Sequence, residues 1–88
     1  MRTIWKISVP VDDQRHIFDL PPGPIVHAGR QHHSYQVEVW VEVELDEPTL
    51  PRAFQCYGTG HLIPGDVDYV GTAIDGQFVW HVYEVTLP

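Results

Sequence analysis

The chain has 88 residues, 43% of them hydrophobic and 19% charged, a composition typical of one soluble globular domain spanning residues 1–88. Twelve acidic residues against five basic ones give a formal net charge of −7, which argues against direct binding to a nucleic-acid backbone. A single cysteine excludes an internal disulfide, and no apolar run approaches the roughly 18 residues of a membrane span. We therefore expect a cytosolic protein without direct nucleic-acid or membrane contacts.

Alternating apolar and polar residues predict strands in the first half of the chain. The first covers residues 3–9 and ends at Pro10, which lacks a backbone donor. Residues 16–20 and 25–29 form shorter candidates, separated by a rigid turn at residues 21–24 that contains three prolines. The clearest pattern covers residues 36–45, with one apolar face formed by Val37, Val39, Val41, Val43 and Leu45.

Three further strands are predicted in the second half, at residues 52–57, 69–74 and 77–87. Asp75-Gly76 is a strong hairpin signal between the last two. The final strand is bulky on both faces, so we expect it to be central and covered on both sides. A helix, if any forms, should be a single turn within residues 61–68. The prediction is an all-β fold: a small, mostly antiparallel sandwich or partly open barrel of six to seven short strands.

A row of carboxylates lies on the polar face of the 36–45 strand. Glu38, Glu42 and Glu44 share this face with Trp40, because side chains alternate along a strand. The simplest interpretation is a solvated face that protects the strand from aggregation, and the alternative is an acidic array that imitates phosphate spacing. Since interfaces are enriched in aromatic residues, Trp40 and Tyr35 predict a protein contact or a homodimer surface here.

A metal site is a weaker hypothesis. Of six histidines, His61 lies five residues after Cys56, across two glycines, and His81 could approach both across a sheet. Exposed loop histidines and a buried structural cysteine explain the same residues more simply. We therefore predict no metal and no cofactor, with Cys56, His61 and His81 as the candidates if a metal or small ligand binds.

The sequence lacks the common catalytic motifs, including a nucleophile elbow, an HExxH pair and a P-loop. The paired carboxylates Asp12-Asp13 and Asp66/Asp68 occur in predicted turns, where aspartate commonly bonds its own backbone. We therefore predict that the protein is not an enzyme.

Four stretches of the chain carry a family resemblance. They are Thr3-Ile4-Trp5-Lys6, the segment from Phe54 to His61 (FQCYGTGH), Tyr69-Val70-Gly71-Thr72, and the segment from Phe78 to Glu84 (FVWHVYE). In order and spacing they resemble an uncharacterised family of small proteins from phages of actinobacteria, mycobacteria in particular, and from related prophages. The family has no assigned activity, and residues 31–45 depart most from its pattern.

The resemblance implies a non-structural phage accessory protein made in the cytoplasm of an infected bacterium. Small proteins of this kind typically bind a host protein and modulate or inhibit it. The first hypothesis is therefore protein–protein binding through Tyr35, Glu38, Trp40, Glu42 and Glu44, with a homo-oligomer left open. Metal or small-ligand binding and acidic nucleic-acid mimicry remain the alternatives. The segments 58–61 and 69–72 form either a shared surface or purely architectural corners.

Overall fold

The computed structural model describes residues 1–30 and 36–87, and strands are the regular structure within them. The seven strands are β1 (Arg2–Pro10), β2 (His16–Leu20), β3 (Ile25–Gly29), β4 (Gln36–Glu44), β5 (Leu50–Gly58), β6 (Val67–Asp75) and β7 (Phe78–Val85). The predicted all-β class is confirmed, and residues 61–68 contain no helical turn. No helix that could span a membrane occurs in the described part of the chain.

The strands form two antiparallel sheets that pack as a sandwich, not a closed barrel. One sheet has three strands in the order β1-β4-β3, and the other has four in the order β2-β5-β7-β6. Each sheet therefore has an inner face against the other sheet and an outer face that no described element covers.

The predicted valine face of β4 forms the centre of the core. Val37, Val39, Val41 and Val43 have no exposed surface. They lie with Val9 of β1 against Phe54, Cys56 and Val82 of the larger sheet. The prediction fails only for Leu45, which follows the strand and is 44% exposed.

The proline segment, residues 21–24, turns the chain and also pairs with β4. The carbonyl oxygens of Pro22 and Pro24 accept hydrogen bonds from Glu44 N (3.0 Å) and Glu42 N (2.9 Å). The segment thus continues the edge of β3 along β4, because prolines can accept ladder bonds although they cannot donate them. Gly23 lies between them, where an added Cβ would come within 1.6 Å of the Glu42 carbonyl oxygen.

The predicted hairpin joins β6 and β7. Asp75 pairs with Phe78, and Gly76 adopts a φ of 59°, which glycine tolerates without a Cβ clash. As predicted, β7 is central, between β5 and β6. The expectation that it is covered on both sides is wrong, since its outer residues Val79, His81 and Tyr83 are only half-buried. These bulky side chains pack against neighbours on the outer face of the sheet, and no third layer of described residues covers them.

Candidate protein-binding surface

The predicted contact residues lie on the outer face of the three-stranded sheet. We call this the Trp40 face and define it by Arg2, Ile4 and Lys6 of β1, His27 of β3, and Glu38, Trp40, Glu42 and Glu44 of β4. Tyr35, the remaining predicted contact residue, lies outside the described residues.

Trp40 occupies the middle of this face, between a lysine on one neighbouring strand and a histidine on the other. Its register partners are Lys6 on β1 and His27 on β3. The centroids of the His27 and Trp40 rings are 5.4 Å apart, with the planes tilted by 44°. Trp40 is half-buried, so one part of the indole packs on its neighbours while the rest meets solvent.

A β-bulge positions His27 for this contact. The register shifts between Ile25 and His27, leaving Val26 as the extra residue of β3. In a regular strand Ile25 and His27 would share a face. The bulge instead lets Ile25 pack against the core while His27 lies beside Trp40 on the outer face.

The two outer glutamates are paired rather than free. Arg2 Nη1 donates to Glu42 Oε1 at 2.6 Å. The N-terminal ammonium of Met1 donates to Glu44 Oε1 at 2.7 Å and also to Asp46. The hydrogen bond from the ammonium lowers the pKa of the Glu44 carboxyl, while the bonds to Asp46 and then Glu44 raise the pKa of the ammonium. These pairs compensate part of the acidic charge that the sequence places on the face.

Glu38 departs from the expected solvated row. It is only 5% exposed, and its Oε2 atom is buried without a hydrogen-bond partner among the residues described. Its register partners are Ser8 on β1 and Gly29 on β3, so it occupies the central strand near one end of the sheet. The face presents Trp40 and two ion-paired carboxylates, not a row of three free ones.

The three metal candidates do not converge. The Cys56 side chain is 1% exposed and points into the core, where its Sγ lies 3.9 Å from the Val9 carbonyl oxygen. Burial, followed by the charges of Asp12 and Asp13, raises the pKa of this thiol to about 12. His81 projects from the opposite face of the same sheet, and His61 Nδ1 accepts a hydrogen bond from Gly58 N at 3.2 Å. Over the described residues, no group of three ligand side chains could hold a metal ion.

The turn interpretation of Asp12 is confirmed. Its Oδ1 accepts a hydrogen bond from Gln14 N at 3.0 Å and lies 2.8 Å from His16 Nε2. The hydrogen bond with His16 lowers the pKa of the Asp12 carboxyl. Asp13 follows with a φ of 59°, the left-handed conformation that aspartate tolerates in turns.

The outer face of the four-stranded sheet unites the two segments 58–61 and 69–72. His81 Nε2 lies 2.9 Å from Thr59 Oγ1, and His81 Nδ1 lies 3.1 Å from Thr72 Oγ1. The Thr72 hydroxyl lies 2.6 Å from the hydroxyl of Tyr69. A chain of polar contacts therefore runs from the turn after β5, over β7, to β6, and the two segments share one surface.

Three tyrosines lie on the same face, and one of them, Tyr69, belongs to the polar chain. Tyr83 makes edge contacts with both Tyr57 and Tyr69, with ring centroids 5.5 Å apart in each case. We call this side of the four-stranded sheet the tyrosine face. Simple alternation of residues does not predict this face, although Gly71 within a strand pattern signals a bulge that changes which residues share a face.

The comparisons with known proteins give a family and no function. A family model described as Domain of unknown function (DUF7352) matches residues 1–88. Neither a curated protein nor a solved structure matches the chain. Because the family model covers its whole length, the chain belongs to the DUF7352 family.

Proposed function

We propose that this protein is a non-structural phage accessory protein that binds a host bacterial protein through the Trp40 face and modulates or inhibits it. The phage assignment is supported by the sequence resemblance to small actinobacteriophage proteins. The binding assignment is supported by one observation above all: an indole placed on an outer sheet face, packed against His27 and partly open to solvent.

The neighbours of Trp40 suit it to binding. Interfaces commonly centre on an aromatic residue, surrounded by polar groups that exclude water. The His27 ring and the strands on both sides restrict the indole before any partner arrives, which reduces the entropy lost on association. Beside it, Arg2, Ile4 and Glu42 line a shallow depression of about 390 Å³ that could accept a partner side chain.

The charges favour an indole-centred contact over nucleic-acid mimicry. A mimic needs carboxylates that are free to meet basic residues of its target. Glu42 and Glu44 are instead bonded to Arg2 and the N-terminal ammonium, and Glu38 is buried. The partner that fits best presents an apolar pocket for Trp40 with polar groups around it.

The test is affinity capture from a mycobacterial lysate at moderate salt, comparing the wild-type chain with Trp40→Ala. We expect the wild type to retain one host protein in near-stoichiometric amount and Trp40→Ala to lose it. Phe78→Ala is the matched control, because Phe78 is also an exposed aromatic (53%) but lies at the β6–β7 hairpin, away from the Trp40 face. It should capture as the wild type does.

Two outcomes would overturn this assignment. If Trp40→Ala lowers the free energy of unfolding by more than about 3 kcal/mol, the range of core truncations, Trp40 is a structural residue. If the double variant Glu42→Gln/Glu44→Gln loses capture while Trp40→Ala keeps it, the carboxylates carry binding and the mimic hypothesis replaces this one.

A further inference from the structure

We propose that the tyrosine face is a homodimer interface, on which a second copy of this chain stacks sheet against sheet. The proposal concerns the face opposite the Trp40 face and does not rest on host binding. It follows from the composition of the tyrosine face, its charge and its size.

The face consists of rows that cross the four-stranded sheet. Register places Ile17, Ala53, Val85 and Val67 side by side as an apolar row over all four strands. The next row contains Tyr83 and Tyr69, and the row after that contains His81 and Thr72. Near the hairpin, Ile74 is 71% exposed, and Ile17 at the opposite edge is 56% exposed. Such large exposed apolar side chains on one face are typical of an association surface.

Charge distinguishes this face from the rest of the molecule. Asp19, at the end of β2, is the single Asp, Glu, Lys or Arg among the strand residues of this face whose side chains the structure describes. The chain carries a net charge of −7, so two copies repel each other in most approaches. Contact through the tyrosine face brings together surfaces on which Asp19 is the one such charge among the described strand side chains, and it leaves the two Trp40 faces on opposite outer sides. A second copy therefore fits this face.

The rows suit a symmetric pair. A two-fold axis parallel to the strands places β2 of one copy over β6 of the other, with each row facing the same row of its partner. The apolar row then meets its own copy, and the tyrosine row does the same. Face-to-face packing within about 30° of parallel is the common arrangement of two sheets.

The area is sufficient for a weak specific dimer. The four strands contain five, nine, eight and nine residues. At about 3.3 Å per residue and about 4.8 Å between strands, they cover about 490 Å² per copy. Two copies would bury about 980 Å², at the lower limit for a biological interface. We therefore expect a concentration-dependent dimer rather than an obligate one.

Sedimentation equilibrium over a concentration series up to the millimolar range tests the proposal. The average mass of the wild type should rise from 10.1 kDa toward twice that value. Ile74→Glu and Ile17→Glu each place a carboxylate in the face and should keep the chain monomeric. Both residues are exposed, so circular dichroism should show an unchanged fold.

Ile4→Glu is the matched control, since Ile4 is a 48% exposed strand isoleucine on the Trp40 face. It should dimerise as the wild type does. A wild type that stays at monomer mass throughout the series overturns the proposal, as does a dimer that survives both Ile74→Glu and Ile17→Glu. Lysate capture examines the other face and uses a different readout, so failure of one proposal leaves the other intact.

Discussion

The Tyr69 hydroxyl lies 2.6 Å from the Thr72 hydroxyl, although residues three apart on a regular strand point to opposite faces. The register of β6 against β7 shifts between Tyr69 and Gly71, which leaves Val70 as an extra residue. This bulge turns Thr72 to the face of Tyr69, where it also contacts His81. One inserted residue thus creates the polar chain of the tyrosine face, and Val70 itself packs against the core.

Thr72→Val should lower the free energy of unfolding by about 1 kcal/mol, because its hydroxyl joins Tyr69 to His81 and valine keeps the shape of the side chain. Urea denaturation measures the change. Thr3→Val is the control: Thr3 is an exposed threonine of β1 and lies on the other sheet, away from the polar chain. Equal losses in the two variants would contradict a structural role for the polar chain.

Arg52 and Glu84 form the best-formed ion pair of the described residues. Arg52 Nε and Nη2 donate to the two carboxylate oxygens of Glu84, each at 2.8 Å, and Nη1 donates to the Gly23 carbonyl oxygen at 2.9 Å. The side chains are 16% and 28% exposed. Arg52→Met should therefore cost about 2 kcal/mol of unfolding free energy, since it leaves a part-buried carboxylate without its cation.

The matched control for this pair is Arg2→Met, which breaks the Arg2–Glu42 contact where Arg2 is 68% exposed. Exposed pairs contribute less, so we expect a loss of about 0.5 kcal/mol or below. Chemical denaturation of both variants gives the comparison. Similar losses would mean that partial burial adds nothing to the Arg52–Glu84 pair.

Periodicity predicted the strands well because the core imposes it. The valines of β4 alternate without interruption and are fully buried, and the predicted bounds of β2 and β3 match the observed strands. Proline, glycine and the Asp75-Gly76 pair marked the connections for local steric reasons. The pairing order of the strands lies beyond such reasoning, because it depends on contacts between residues distant in sequence.

The candidate sites were harder to predict because both depend on bulges. Simple alternation puts His27 on the face of Ile25, and Thr72 on the face opposite Tyr69, whereas the shifted registers reverse both relations. Alternation also predicted that the Glu38 side chain is solvated, whereas this residue is only 5% exposed. Trp40 was located correctly on the outer face because no bulge interrupts β4 against β1.

The burial of the Cys56 thiol predicts that the protein loses stability at alkaline pH. Burial raises the pKa of its thiol from 9.0 to about 12, so the folded state holds the proton over a range in which the unfolded state releases it. The contribution is complete below pH 9 and is lost as the pH rises toward 12. Cys56→Ala should lower the overall stability but flatten the decline in unfolding free energy between pH 9 and pH 10.5, measured by urea denaturation.

Thiol titration gives an independent check of the same burial. Native protein at pH 8 should not react with an aromatic disulfide reagent, and one thiol per chain should react in denaturant, because the thiolate is the reactive form. Some alkaline decline should remain in Cys56→Ala, since burial and then Tyr83 also raise the pKa of Tyr57. Rapid labelling of the native protein would contradict a core position for Cys56.

Gly71 of β6 and Ala28 of β3 face each other where the two sheets pack closely. A Cβ added at Gly71 would lie 2.7 Å from the Ala28 Cβ, inside the van der Waals limit. Gly71→Ala should therefore push the sheets apart and lower the free energy of unfolding by about 1–3 kcal/mol. Gly65→Ala is the control, since its added Cβ has nothing within 4 Å. The double variant Ala28→Gly/Gly71→Ala moves the methyl group to the other sheet and should recover part of the loss; no recovery would mean that the clash is not with Ala28.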